Sequence, residues 1–200
     1  MKFLSIFISI ILLLIPPASA ETSRQIFFEE EPCPLSVILP AGWAVFPGAQ
    51  ERWMGNDPTV AFNHPNQDGV QVTYYGLDSS RFHSAEEFLQ YIKRVINPSE
   101  SEKGILIGGR QATILQFRYS YEKHSDIHGT NVPGERVFEE FVIVPLERGF
   151  YAFAITLRST TPNSLVESSQ AIQYEIENNQ RKLRQWYEFL DSVQFPQTNP

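Results

Sequence analysis

Apolar and polar residues alternate along much of this chain, and the alternation gives way to a helical period in two places. In GILIGGRQATILQFRYSYE, Thr113, Leu115, Phe117, Tyr119 and Tyr121 fall on one face, and Ile114, Gln116, Arg118 and Ser120 fall on the other. This is the two-residue period of an extended strand. One face reads as packed and the other as partly wet, which suits an antiparallel sheet. Gly108-Gly109 marks a tight turn between a short strand and this long one. LSVILPAGW reads as a strand entering a turn at Pro40, Ala41 and Gly42. TVAFNH and GVQVTYYG read as a hairpin around PNQDG, with Val70, Val72 and Tyr74 on one face and Asp68-Gly69 supplying a residue tolerant of positive φ. RVFEEFVIVPL and FYAFAITLR are two further strands around Glu147, Arg148 and Gly149, and Tyr151, Phe153, Ile155 and Leu157 share a face. A last short strand fits Val193 to Phe195.

The first helical segment is HSAEEFLQYIKRVI. Ser84 stands as N-cap with Glu87 three residues on, so each side chain can satisfy an orphan amide of the first turn. Phe88, Ile92 and Val95 follow at helical spacing, Leu89 and Ile96 widen the stripe, and Asn97-Pro98 ends it. The second begins at Thr161-Pro162, a cap followed by a first-turn proline. Leu165, Ile172, Ile176, Leu183, Trp186 and Leu190 recur near the helical period to about Asp191. A break near Asn178-Asn179 stays open. The expected fold is α+β: a meander of about six antiparallel strands flanked by helices.

The first twenty residues, MKFLSIFISIILLLIPPASA, have one lysine, an apolar run and small residues at Ala18, Ser19 and Ala20. That is the layout of a secretory signal peptide, and the run is shorter than the roughly 20 residues that span a bilayer. The expected organisation is a signal peptide over 1–20, an extended acidic lead over 21–34, one α+β domain over 35–196 and a tail over 197–200. Losing Lys2 with the leader takes Lys and Arg from 16 to 15 against 23 Asp and Glu, a formal charge of −8. An acidic chain with no basic run has no electrostatic footprint for nucleic acid and no attraction to an anionic membrane surface. The expected location is periplasmic or extracellular, with no membrane insertion after the leader is removed. Cys33 is the one cysteine, so no internal disulfide can form. It reads as a small packed residue between Pro32 and Pro34.

The sequence holds no Gly-x-Ser-x-Gly, His-Glu-x-x-His, glycine-rich phosphate loop or Cys-x-x-Cys. A catalytic triad can assemble from distant residues, so an enzyme stays open as a third reading. In KHSDIHGTNVPGER, His124, Asp126 and His128 form a ligand set suited to zinc or a similar divalent cation. Gly129, Pro133 and Gly134 argue against the helix that would put both imidazoles on one face, so a solvated loop is the competing reading. His64 and His83 read as a strand end and a helix entrance. In QERWMGND, Trp53 and Met54 are candidates for an exposed apolar patch that binds a partner.

Pro40, Gly42 and Trp43, the SAEEFLQYI helix, the IGGRQATILQF and EEFVIVPLERGFYAFAIT hairpins and the closing FLDSVQF resemble the PsbP/DcrB-like family over roughly residues 35 to 196. The resemblance implies an α/β/α sandwich on an antiparallel sheet. It also implies an accessory or scaffolding role against a larger assembly, with divalent cations bound by some members. No catalytic motif comes with it. The loop over 123–135 and the polar stretch from Ser164 to Lys182 look long for that fold. The expected function is an exported, non-catalytic accessory or assembly protein that binds another protein and needs no cofactor. The alternative is a metal or small-ligand binder using the 123–135 loop.

Overall fold

Both Gly108 and Gly109 carry positive φ, 54° and 79°. The link between β6 (Ser101–Ile107) and β7 (Arg110–Tyr121) therefore has the φ pattern of a type I′ turn, whose twist matches that of the flanking strands. Ile107 pairs with Arg110 across it. The computed structural model describes residues 23–29, 31, 33–46, 57–63, 69–96, 101–121, 124–125, 131–132, 135–160 and 169–196.

Five further strands join these two: β3 (Ala44–Val45), β4 (Thr59–Asn63), β5 (Gly69–Tyr75), β10 (Glu135–Pro145) and β11 (Phe150–Thr160). The order is β3-β4-β5-β11-β10-β7-β6, with antiparallel pairing throughout. The fold is α+β, as its alternation implied, and the sheet has seven strands where about six were expected. It is not a simple meander. β11 turns back from β10 and lies beside β5, pairing Phe150 with Tyr75 and Tyr151 with Tyr74. Alternation shows which face a residue takes and is silent about which distant strand lies next door.

Both faces of the sheet are covered, so the half-wet face read from β7 is wet only at one end. α1 (Ala85–Val95) lies over a cluster containing Tyr75, Phe88, Ile92, Leu115, Ile143 and Phe150. α2 (Ser169–Ser192) lies over a second cluster containing Val72, Val142, Phe153, Trp186, Phe189 and Leu190. The N-terminal lead is not merely extended. Its β1 (Arg24–Phe27) pairs with β2 (Leu35–Ile38), and this ribbon runs beside the end of α2. Ser192 Oγ accepts from the Ile38 amide at 2.9 Å, and Ser36 bridges Gln194. Gln194 forms that bridge where a last short strand was expected.

α1 starts as the capping pattern implied, with Ser84 Oγ accepting from the Glu87 amide at 3.1 Å. The Glu87 carboxylate accepts from the amide of His83, one residue ahead of the cap, at 2.8 Å. Ser84→Ala should cost about 1 kcal/mol in chemical denaturation. Phe88, Leu89 and Ile92 are buried, whereas Val95, expected on the same stripe, is 58% exposed. Past Ile92 the helix is tied to the sheet margin instead, through Lys93 and Glu102 of β6, 2.8 Å apart. α2 runs without a break through Asn178 and Asn179. The weak helix propensity of two asparagines is small against the burial of Trp186, Phe189 and Leu190 further along the same helix. The expected helix start at Thr161-Pro162 lies outside the described residues.

Candidate functional site

The sheet face beneath α2 changes character along its length. At the core end the tier is Ile114, Val142, Phe153 and Val72, all buried. The next tier is Gln116, Glu140, Ile155 and Val70. Beyond it come Arg118, Phe138 and Leu157, and then Ser120, Arg136 and Ser159. The face thus passes from apolar to polar as it runs out from under the buried part of α2.

Glu140 forms the boundary. It is fully buried and accepts from Trp186 Nε1 at 2.6 Å, Gln116 Nε2 at 2.6 Å and the Tyr187 hydroxyl at 2.8 Å. Ser101 extends the chain, donating its hydroxyl to Gln116 Oε1 at 2.9 Å. A buried carboxylate is tolerated only where hydrogen bonds replace its water. Three neutral donors from β7 and α2 do that here. The knot fixes α2 on the sheet and turns the carboxylate inward.

Next to the knot, an open groove of about 460 Å³ lies between the sheet and α2. Its described walls include Arg118 and Ser120 from β7, Arg136 and Phe138 from β10, Leu157 and Ser159 from β11, and Asn179 and Leu183 from α2. Phe138, Leu157 and Leu183 make an apolar floor. The Arg118 guanidinium lies over the Phe138 ring, 5.3 Å from its centroid. That stacking holds the planar guanidinium against the groove floor. Arg118 and Arg136 are both exposed and are diagonal neighbours on adjacent strands, so two positive charges flank an apolar trough in an acidic protein.

The ionisable groups are tuned mainly by burial. Desolvation pushes the Tyr187 phenol up to about 12, reinforced by the neighbouring Glu140 charge and by its hydrogen bond to that carboxylate. Desolvation likewise pushes Tyr75 up to about 12. Tyr151, whose hydroxyl donates to the Cys33 carbonyl at 2.7 Å, is raised by burial as well. A phenol with a raised folded pKa stabilises the fold fully below its unfolded value near 10.0 and loses that contribution as pH climbs through the folded value. Stability should therefore fall between pH 10 and about 12. Tyrosinate absorbance should show the fully buried Tyr75 ionising together with unfolding, whereas its independent titration near the ordinary value would contradict this environment.

Burial pushes the Cys33 thiol up, and the residue is half-buried, as a packed cysteine would be. A second polar knot lies at the start of β4. Asp57 is 6% exposed, with its carboxyl pushed up by burial against the opposing hydrogen bond from Ser79. The Thr59 hydroxyl lies 3.0 Å from that of Thr73 on the neighbouring β5.

Trp53 and Met54, expected at a partner-binding patch, lie outside the described residues, as do Asp126 and His128. His124 is described in its backbone alone. It opens a short pair, β8 (His124–Ser125) with β9 (Asn131–Val132), in which His124 faces Val132. Among the described residues, no three His, Cys, Asp or Glu side chains gather as a metal site would require. Glu140, Arg118 and Arg136 were not singled out by sequence. Glu139-Glu140 inside an apolar strand was the available signal, because alternation must turn one of two adjacent glutamates toward each face.

No protein-family model matches the chain, and no curated protein matches it in sequence. Among solved structures it is similar to a protein from Bacteroides thetaiotaomicron, with 13% identity and a TM-score of 0.42 over 82% of this chain and 46% of the other. The chain thus spans under half of that protein. It is also similar to LpqN of Mycobacterium tuberculosis, a protein involved in cell envelope biogenesis, with 11% identity and a TM-score of 0.39 over 86% of this chain and 90% of that one. Among the described residues no helix is long and apolar enough to cross a membrane.

Proposed function

We propose that this is an exported, non-catalytic accessory protein that binds another protein, and that the groove between α2 and the ends of β7, β10 and β11 is where the partner docks. The observation that carries this reading is the pair Arg118 and Arg136 beside the apolar floor of Phe138, Leu157 and Leu183. Groups that desolvate well and present fixed donors are what a binding surface needs. Glu140, the most buried acid among the described residues, is taken up by three neutral donors and supports the groove structurally. The signal-peptide layout of residues 1–20 and the resemblance to the PsbP/DcrB-like family support export and an accessory role.

The test is affinity capture after crosslinking in the native envelope, with the wild type beside Arg118→Glu/Arg136→Glu and beside a variant lacking residues 124–134. Charge reversal should reduce the captured partner by about tenfold or more with the melting temperature unchanged. Capture that survives reversal but is lost with the loop would move the docking site to the loop.

A second reading, a small-ligand site, is favoured by the groove volume of about 460 Å³, within the usual range of such sites. The metal reading of His124, Asp126 and His128 has its own check. A cation bound only by the native state raises the melting temperature. A rise with zinc that disappears in His124→Ala/His128→Ala would establish it, and no rise with any divalent cation would end it.

A further inference from the structure

Given the docking site proposed above, we infer that the groove recognises an extended acidic segment of its partner, in which two carboxylates two residues apart share one face and apolar residues lie on either side of the pair. The inference rests on that reading and adds the chemistry of the occupant. Arg118 pairs in register with Phe138, and Arg136 with Ser120, so the two arginines are diagonal neighbours on one face. Diagonal positions on adjacent antiparallel strands lie about 7–8 Å apart. In an extended peptide, side chains on the same face repeat every two residues, at about 6.6–6.8 Å. An acidic-x-acidic segment laid across β7 and β10 therefore brings one carboxylate to each guanidinium.

The rest of the groove suits such an occupant. Ser120 and Ser159 sit at the outer tier and Asn179 on the helix side, placing short polar groups beside a peptide backbone. Flanking apolar side chains of the segment meet Phe138, Leu157 and Leu183. Charge complementarity selects the acid. The mature chain is acidic overall, so an acidic partner is repelled by most of this protein and attracted where two arginines converge. The stacked Arg118 enters this arrangement with its fork already oriented, which limits the ordering cost on binding.

The experiment measures binding of synthetic eight-residue peptides to the mature protein by fluorescence anisotropy. One peptide carries a Glu-Val-Glu centre between valines, and its counterparts carry Gln-Val-Gln and Lys-Val-Lys. Sodium decanoate serves as a small amphiphilic anion. The Glu peptide should bind, weaken with added salt, and weaken by about tenfold or more in Arg118→Ala, in Arg136→Ala and on replacement of its glutamates by glutamine. Arg118→Glu/Arg136→Glu should prefer the Lys peptide, an exchange that a loss of folding cannot produce. Binding of decanoate without the Glu peptide would overturn the inference in favour of a small-molecule site, as would equal binding of the Glu and Gln peptides. If partner capture depends on the groove and no acidic peptide binds, the docking reading stands and this inference falls. If capture ignores the groove and the Glu peptide fails as well, both fall.

Discussion

Replacing Glu140 by leucine should destabilise the protein by about 3 kcal/mol, although leucine is apolar, of similar size, and enters a fully buried position. The loss comes from the donors left behind. Trp186 Nε1 and Gln116 Nε2 both point at the carboxylate, and an orphaned buried donor costs roughly 1–3 kcal/mol. Trp186 is fully buried, so water cannot replace the lost acceptor there. Glu140→Gln should cost less, because its amide oxygen can still accept from one side while its NH₂ group faces a donor. The signature is coupling. Trp186→Phe should be costly in the wild type and much less so in Glu140→Leu, since the donor it removes is by then already unpaired. Additive effects in a denaturant double-mutant cycle would show that the carboxylate is not held as described.

Gly149→Ala should be comparably severe, at about 3 kcal/mol. Gly149 closes the turn between β10 and β11 with φ at 93°, and the Leu146 amide donates to its carbonyl at 3.0 Å. A Cβ built there overlaps the Tyr75 carbonyl oxygen and crowds the Gly76 Cα, both of them backbone. The turn is pressed against the end of β5 because Phe150 pairs with Tyr75 and the Tyr74 hydroxyl donates to the Arg148 carbonyl. A substitution must therefore strain the turn or prise β11 from β5. Gly104→Ala is the control, since a Cβ there meets nothing within 4 Å. Its effect should stay within about 0.5 kcal/mol. Equal unfolding midpoints for the two variants would contradict this account of the β5–β11 junction.

The features legible in the sequence are those that close over a few residues. The Ser84 cap, the Gly108-Gly109 turn and the hairpin of β10 and β11 each follow from neighbouring side chains. The pairing of β5 with β11 joins Tyr75 to Phe150, and no local pattern states which strand will be the neighbour. The groove was hidden for the same reason. Arg118 and Arg136 lie on different strands and become neighbours only through the register of β7 against β10, while Leu183 arrives from α2. Read along β7, Arg118 is simply one polar residue on a partly wet face. The apolar floor was disguised too, because Phe138 and Leu157 stand in the same alternation that carries Val142 and Ile155 into the core. Val95 shows the opposite error: helical spacing predicts a buried stripe, but Val95, at the end of α1, is 58% exposed.

The proposed binding role is tested most directly by photocrosslinking from single sites in the native envelope. A photoreactive phenylalanine analogue would be placed at Ser120 on the groove rim, or at Trp53 or His124 for comparison. The expected result is one discrete protein adduct from Ser120, lost in Arg118→Glu/Arg136→Glu, with the crosslinked peptide of the partner acidic in sequence. An adduct from Trp53 or His124 with none from Ser120 would contradict the placement of the site. The absence of any adduct at all three positions would contradict the accessory role itself.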